Sequence, residues 1–534
     1  MKLSFKQYYD KVLGCYLGKN IGGTLGAPFE GFRGVYNMTW FMQDVSEPVP
    51  NDDVDLQLVW LRAAEKEGRM IDSHILEEYW NTYIAATLCE YGTGKNNFNQ
   101  GAVAPLSGYL RNRNKNSNGA WIRSEIWACL CAGSPWLAAK YAYYDSSVDH
   151  SSEGIYAAVF TAVMQSAAFF ESDVKKLTEI ALSFIPENCD VARAVHCVFE
   201  SYESGKTWQE ARIALFKETP SSFGQPWPWI GKEGIPVSDI CPEYVPDPQI
   251  PIVEAGYDAP WSIGAIVISL LYGGGDFGKT ICTATNMGED TDCTAGTAGS
   301  IIGIILGAEN IPENWKTAVS NKIATCTLRS DVDAKFPKTI EELTFRVVRL
   351  TPEFLREKCV YAGMETLNGT LTPDWSIGGY EVMPEKNLDY DKDFFAHCNT
   401  EKESVVELMQ ESPYTVRRHY PTLTVTVKYD ENFVSVKSNE EKRFHITFIN
   451  KLFTPQFFNV KLYNVEEDWL INYGTEFCIG VEHLHGGSNK NEIDLSITIP
   501  TVKKASYTIV MEMSSVGRSG KYYFPITLLN GSIC

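Results

Sequence analysis

Two acidic segments could do chemistry: Asn51-Asp52-Asp53 and Asp290-Thr291-Asp292. Each opens a stretch whose apolar residues recur at helical spacing. A helix start needs one capping oxygen, and acidic residues suit the positive end of the helix dipole. Asn51, Asp52 and Asp55 all fit that bland role. Two adjacent carboxylates go beyond capping, because they repel each other unless a cation lies between them, and hard divalent ions take oxygen ligands. Two acidic helix starts converging from 52–53 and 290–292 would hold a pair of ions ~3.5–4 Å apart, which bind substrate hydroxyls and activate a water together. The competing reading is that both segments only cap. In that reading the small residues Gly299, Gly303 and Gly307, at every fourth position after the second segment, serve close helix packing.

The elements that must position these groups follow from periodicity. In Leu56–Ala64, positions 56, 59, 60 and 63 fall on one helical face. Further helices are expected near Ile155–Phe170, Val174–Ile185, Val191–Ser204, Trp208–Glu218, Ile263–Leu271 and Thr294–Leu306. No alternating strand pattern interrupts them, so residues 1–345 read as a large all-α domain. From about Tyr420 the period becomes two, in Leu423–Val427, Phe433–Val436, Phe444–Phe448, Ile493–Ile499 and Tyr507–Val510. Strands at this spacing, separated by Asp/Asn/Gly turns, predict an antiparallel, immunoglobulin-like β-sandwich over 413–534. A mixed connecting region, 346–412, lies between. The segment Ser221–Pro260 is dense in proline and carries Trp227 and Trp229. It reads either as a lid whose rings stack on a sugar or base, or as a proline-stiffened surface loop packing its own aromatics.

Composition narrows the partners. The chain has 534 residues and a formal net charge of −20, which argues against nucleic acid, since phosphate binding needs a basic surface. The most apolar run, Ala295–Ala308, is shorter than the ~20 residues a bilayer requires, so no membrane role is expected. The fourteen cysteines are scattered, with no CxxC pair or zinc-like cluster, and no apolar leader follows Met1. Reduced thiols and a cytoplasmic location are expected.

Four segments, in order, resemble the ADP-ribosylglycohydrolase family. Gly14-Cys15-Tyr16-Leu17-Gly18 through Ile21-Gly22, Leu25-Gly26-Ala27-Pro28 and Glu30 is similar to its glycine-rich first helix and following glutamate. Asn51-Asp52-Asp53 stands where the family has Thr-Asp-Asp. Asn118-Gly119-Ala120-Trp121-Ile122-Arg123 resembles its Asn-Gly-Ala-x-Met-Arg segment. Gly288–Cys293, with Ala298-Gly299, Ile311-Pro312 and Trp315, resembles its Gly-Gly-Asp-Thr-Asp-Thr signature. The resemblance implies an all-α fold with two Mg2+ or Mn2+ ions in a cleft and hydrolysis of a glycosidic bond to a ribose-like sugar, ADP-ribosyl above all. By position it implies Asp52, Asp53, Asp290 and Asp292 as metal ligands, Glu30 as ligand or gate, and Asn51 and Cys293 at further ligand positions. It makes Asp52, Asp53 and Asp292 the catalytic carboxylates. Asn118, Gly119 and Glu289 would face substrate, with Trp227 and Trp229 closing over it.

The departures are specific. Asn51 replaces a threonine, though an amide oxygen still ligates hard ions. Cys293 replaces a hydroxyl, and sulfur is poorly matched to magnesium, so that ion either loses a ligand or takes Thr294 instead. Glu289 stands where a glycine is usual, and Gly23 where an aspartate is usual. They leave two further functions open: a glycoside hydrolase of the same fold acting on another pentofuranoside, or an inactive sugar-binding protein. Outside these segments, His483 and His485 would share a strand face but lack a third ligand. Asp149-His150 reads as a helix cap near Ile155.

Overall fold

The computed structural model describes residues 2–31, 33–219, 257–332, 334–360, 364–367, 370–373, 380–385, 394–397, 410–483 and 488–532. Contacts divide the chain into two units. One comprises 1–71, 83–93 and 111–399; the other comprises 72–82, 94–110 and 400–534.

The first unit is helical, as the periodicity predicts. Its centre is a pair of antiparallel helices, Phe5–Gly26 and Thr291–Leu306. Ser4 and Gln7 form a reciprocal capping box at the start of the first. Gly14, Gly18, Gly22 and Gly26 then recur every fourth residue along one face. A Cβ on Gly18 would strike the backbone of Gly299, and one on Gly22 the backbone of Ala295. The small-residue stripe after Asp292 is thus matched by a second stripe, and the two backbones meet directly. This contact carries the end of the first helix to the start of the Thr291–Leu306 helix, where the Thr291 hydroxyl donates to Gly26 O at 2.8 Å.

Other helices follow the expected spans closely: Glu153–Ala168, Val174–Leu182, Asp190–Glu203 and Trp208–Glu218. The expected Ile263–Leu271 helix is longer, Ala259–Gly273, with Pro260 in its first turn, where a missing N–H costs nothing. The boundary set at 345 falls inside the helix Ile340–Leu355. Beyond it Cys359–Val360 and Leu3–Ser4 both pair with Glu381–Val382. Among the described residues no helix is long and apolar enough to cross a membrane.

The second unit is built on two five-stranded sheets. One runs Glu476–Val481, Gln456–Tyr463, Ser506–Ser515, Lys521–Asn530, Ser435–Val436; the other runs Leu470–Ile471, Lys490–Thr498, Glu441–Asn450, Leu423–Tyr429, Thr415–His419. All pairings are antiparallel except that of Lys521–Asn530 with Ser435–Val436. Phe444, Ile446 and Phe448 from one sheet and Phe458, Ile509 and Met511 from the other share one buried core, as a sandwich requires. Segments 72–82 and 94–110 group with this unit: Glu78 pairs with Arg518 at 3.0 Å, and Gly101 lies against the backbone of His419.

Candidate active site

The acidic segments converge within the helical unit. Asn51 caps the Asp52–Glu67 helix, its Oδ1 accepting from Asp53 N at 2.7 Å. That single bond satisfies the capping role and leaves both neighbouring aspartates for other work. Asp55 does not cap its own helix; four residues in, it points to another strand of chain and accepts from Cys326 N, Thr327 N and the Thr327 hydroxyl. Asp290 sits at the cap position of the Thr291–Leu306 helix with no side-chain capping bond. Its Oδ2 accepts instead from Asn118 Nδ2 at 2.6 Å, and the Asn51 amide donates to Asp292 Oδ2 at 3.2 Å. Capping alone therefore does not account for the second segment.

Glu30 follows the 3-10 turn Ala27–Phe29 and is exposed on its solvent side. Gly31 N donates to Glu289 O at 2.9 Å, and Asn286 pins the next turn through Tyr36 N and Met38 N. Glu30, Asp290 and Asp292 thereby bring carboxylate oxygens within 4.8 Å of one another; Asp53, Asp292 and Cys293 form a second such group. Asp290 Oδ1 and Asp292 Oδ1 are buried without a hydrogen-bond partner. Buried carboxylate oxygens without a donor are costly, and a hard divalent cation would supply their missing partner, so the donor set fits such a cation.

The electrostatics match this crowding. The Asp292 charge, then burial, push Glu30 up to about 9. Burial, then Asp53 and Asp55, push Asp52 up to about 7, and its Oδ2 accepts from Tyr91 OH at 3.2 Å. Burial, then Asp292 and Glu30, hold Asp290 well above the carboxylate range. Asp53 rises only to about 6: burial and Asp292 raise it, while Lys19 pulls it down. Burial would lower Lys19, but Asp53 and Glu125 outweigh it and hold the ammonium above the ordinary lysine range.

The remaining expected residues fall as follows. Asn118 is spent inside the protein: Nδ2 also donates to Ser262 Oγ at 3.0 Å, and Oδ1 accepts from Trp121 Nε1 at 2.9 Å. It fixes Asp290 in place. Gly119 presents its carbonyl to Arg123 at 2.6 Å, and a Cβ there would run into Glu90. Glu289 is buried and ion-paired with Arg33. Its φ of 67° is one that glycine adopts most easily, so the backbone keeps a glycine-like conformation under a charged side chain. Cys293 donates its thiol to Asp53 Oδ1 at 3.3 Å, and burial, then the surrounding aspartates, hold that thiol protonated. The Thr294 hydroxyl donates back to Asp290 O at 2.8 Å. Asp149 and His150 cap nothing. Asp149 accepts from Arg123 at 2.7 Å and pairs with His150 Nδ1 at 2.9 Å, all fully buried. Trp227, Trp229, His485 and the lid reading of 221–256 lie outside the described residues.

Sequence reasoning passed over Lys19, Glu125 and Tyr91. Lys19 Nζ lies 2.8 Å from Asp53 Oδ2 and 3.3 Å from Glu125 Oε1. The available signal was a lysine one turn before Gly23 on a glycine-lined helix face, which four-residue spacing aims at the same neighbours.

Comparison with known proteins places the chain in a family. The sequence matches the ADP-ribosylglycohydrolase family over residues 5–350. No curated protein matches it. Among solved structures, one described as an ADP-ribosylglycohydrolase-related protein complex superposes with a TM-score of 0.44 at 17% identity, covering 65% of this chain and 99% of that one. A FixG-related protein from Vibrio parahaemolyticus superposes with a TM-score of 0.17 at 17% identity, over 21% of this chain and 97% of its own. The superpositions add nothing to the family match, which spans most of the chain and all of the converging carboxylates: the chain belongs to the ADP-ribosylglycohydrolase family of glycohydrolases.

Proposed function

We propose that this chain is a metal-dependent hydrolase of a glycosidic bond to a ribose-like sugar, with ADP-ribosyl groups as the first substrate class. The observation that carries the reading is the pair of buried, partnerless oxygens on Asp290 and Asp292 gathered with Glu30. Those three residues would hold Mg2+ or Mn2+, with Asp52 and Asp53 beside them as further carboxylates. A bound cation supplies Lewis-acid polarisation and a grip on sugar hydroxyls.

The chain's own groups supply the rest. Asp52, held by the Tyr91 hydroxyl at 3.2 Å, takes a proton from the attacking water. Asp292 keeps negative charge beside the anomeric carbon, where oxocarbenium character develops. Asn118 and the Arg123–Asp149 pair position the loop that bears Gly119. Glu289, Trp227 and Trp229 remain candidates for the substrate side.

The test is release of ADP-ribose from modified protein in Mg2+ or Mn2+, run beside a panel of aryl furanosides. ADP-ribose release that EDTA abolishes is the expected result. Turnover of the furanosides alone would replace the ADP-ribosyl reading with a pentofuranosidase of the same fold, and turnover of neither would leave a sugar-binding protein.

A further inference from the structure

The two groups of carboxylates differ in what they have left to offer. Asp53 has a cation at one oxygen and a donor at the other: Oδ2 forms an ion pair with Lys19 Nζ at 2.8 Å, and Oδ1 accepts from the Cys293 thiol at 3.3 Å. The Lys19 ammonium is itself held from every side, donating to Ile122 O at 2.7 Å and Thr297 Oγ1 at 3.0 Å, with Glu125 Oε1 at 3.3 Å. Glu125 is locked in turn by Gln57, Gln165 and Ser300. The side chains of Lys19 and Asp53 are each 1% exposed, so the ammonium has no route to water. Asn51 Oδ1 is spent on Asp53 N and the Thr294 hydroxyl on Asp290 O. Of the carboxylates expected to hold a second ion on this side, only Asp52, whose Oδ2 accepts from Tyr91 OH at 3.2 Å, is left without a cation. On the other side Asp290 Oδ1 and Asp292 Oδ1 receive no donor from the rest of the chain, and the two carboxyl groups, with Glu30, have only one another.

We propose that Lys19 stands in for one of the two ions, so that the chain binds a single divalent cation, at Glu30, Asp290 and Asp292, while the ammonium permanently neutralises Asp53. This rests on the metal-dependent reading above. Two neighbours fit the exchange. Gly23, one turn after Lys19, brings no carboxylate to this face, and a Cβ there would lie 3.1 Å from Asn51 Nδ2. Cys293 offers a thiol where a hard ion calls for oxygen.

The experiment strips the full chain with EDTA, reloads it with Mn2+, and reads metal content by mass spectrometry and ion–ion coupling by electron paramagnetic resonance. The expected result is one Mn2+ per chain with the spectrum of an isolated ion, and in Lys19→Met a second Mn2+ with exchange coupling. Two coupled ions in the unaltered chain, or a folded Lys19→Met that stays at one, would overturn the proposal and leave metal dependence standing. No Mn2+ at all would overturn both. If Lys19→Met does not fold, Asp53→Asn and Asp290→Asn decide the matter. The first should keep its one ion and the second lose it; the opposite pattern refutes the assignment.

Discussion

Asp53 and Asp290 are chemically the same group, equally buried, and lie at the starts of two helices that meet at one site. Yet the protein gives the first a cation and gives the second none. Asp53 has an ammonium and a thiol; Asp290 has one amide hydrogen on Oδ2 and otherwise only the Asp292 carboxyl. A fold that can build the Lys19–Asp53–Glu125 cluster could have built another beside it. Where a buried charge is neutralised by the chain it serves structure, and where it is left bare it waits for something from solution. Burial alone does not distinguish the two; the partners do.

The sharpest way to break this contrast is to remove the built-in cation. Lys19→Met strands Asp53 and Glu125 in a dry interior, and breaking one side of a buried ion cluster costs about 3–5 kcal/mol. Urea unfolding in EDTA should show that loss, and Mn2+ should restore part of it. The mirror experiment is Asp290→Asn. The amide is the isostere of a carboxyl that burial already holds protonated, so the metal-free fold should be unharmed or gain stability. Hydrolysis should nevertheless fall on the order of 10²–10³-fold, as when a group that stabilises the transition state is lost. Equal destabilisation by both substitutions would erase the distinction between the two halves.

The same distinction explains what the sequence reveals. Capping boxes and four-residue periods are local, so Trp208–Glu218, with Thr207 and Glu210 at its start, is legible to the residue. Strands Gln456–Tyr463 and Lys521–Asn530 are not, because Phe457, Tyr523 and Leu529 stay 58%, 50% and 41% exposed and apolar residues on the outer face hide the alternation. At the site, the aspartates are legible because a run of acids exceeds what capping needs. Lys19 is not, because a lone lysine in a helix ordinarily snorkels to water. Only the glycine-to-glycine contact of two helices remote in sequence reveals that this one is sealed in. Segments 72–82 and 94–110 escape for a similar reason: their partners lie more than three hundred residues away.

pH sharpens the comparison without mutation. Glu30 is raised from 4.5 to about 9, so the folded state holds its proton more tightly than the unfolded chain. The stability it contributes is full below its unfolded value and is lost as pH rises through about 9. Asp53, held down by Lys19 to about 6, completes its own change well before that. The metal-free protein should therefore melt at steadily lower temperature between pH 5 and pH 9, and saturating Mn2+ should flatten the slope by giving the carboxylates a partner. A metal-free melting temperature that is flat from pH 7 to pH 9 would mean that the Glu30 side is as well compensated as the Asp53 side.

The smallest effect comes from Glu289, which borders the bare half while resembling the answered one. Its charge is met by Arg33, but its φ of 67° strains any residue with a Cβ by roughly 1 kcal/mol. Glu289→Gly removes the strain and the ion pair together, and also leaves Arg33 without this carboxylate. Broken buried pairs cost more than relieved backbone strain, so the variant should unfold at slightly lower urea concentration than the parent. Glu289→Gln keeps the strain and loses only the charge, and it should be the less stable of the two. If Glu289→Gly instead proves the more stable protein, Arg33 is satisfied without Glu289. The carboxylate at 289 would then be kept for a purpose that stability does not explain, and KM for the substrate would be the quantity to measure next.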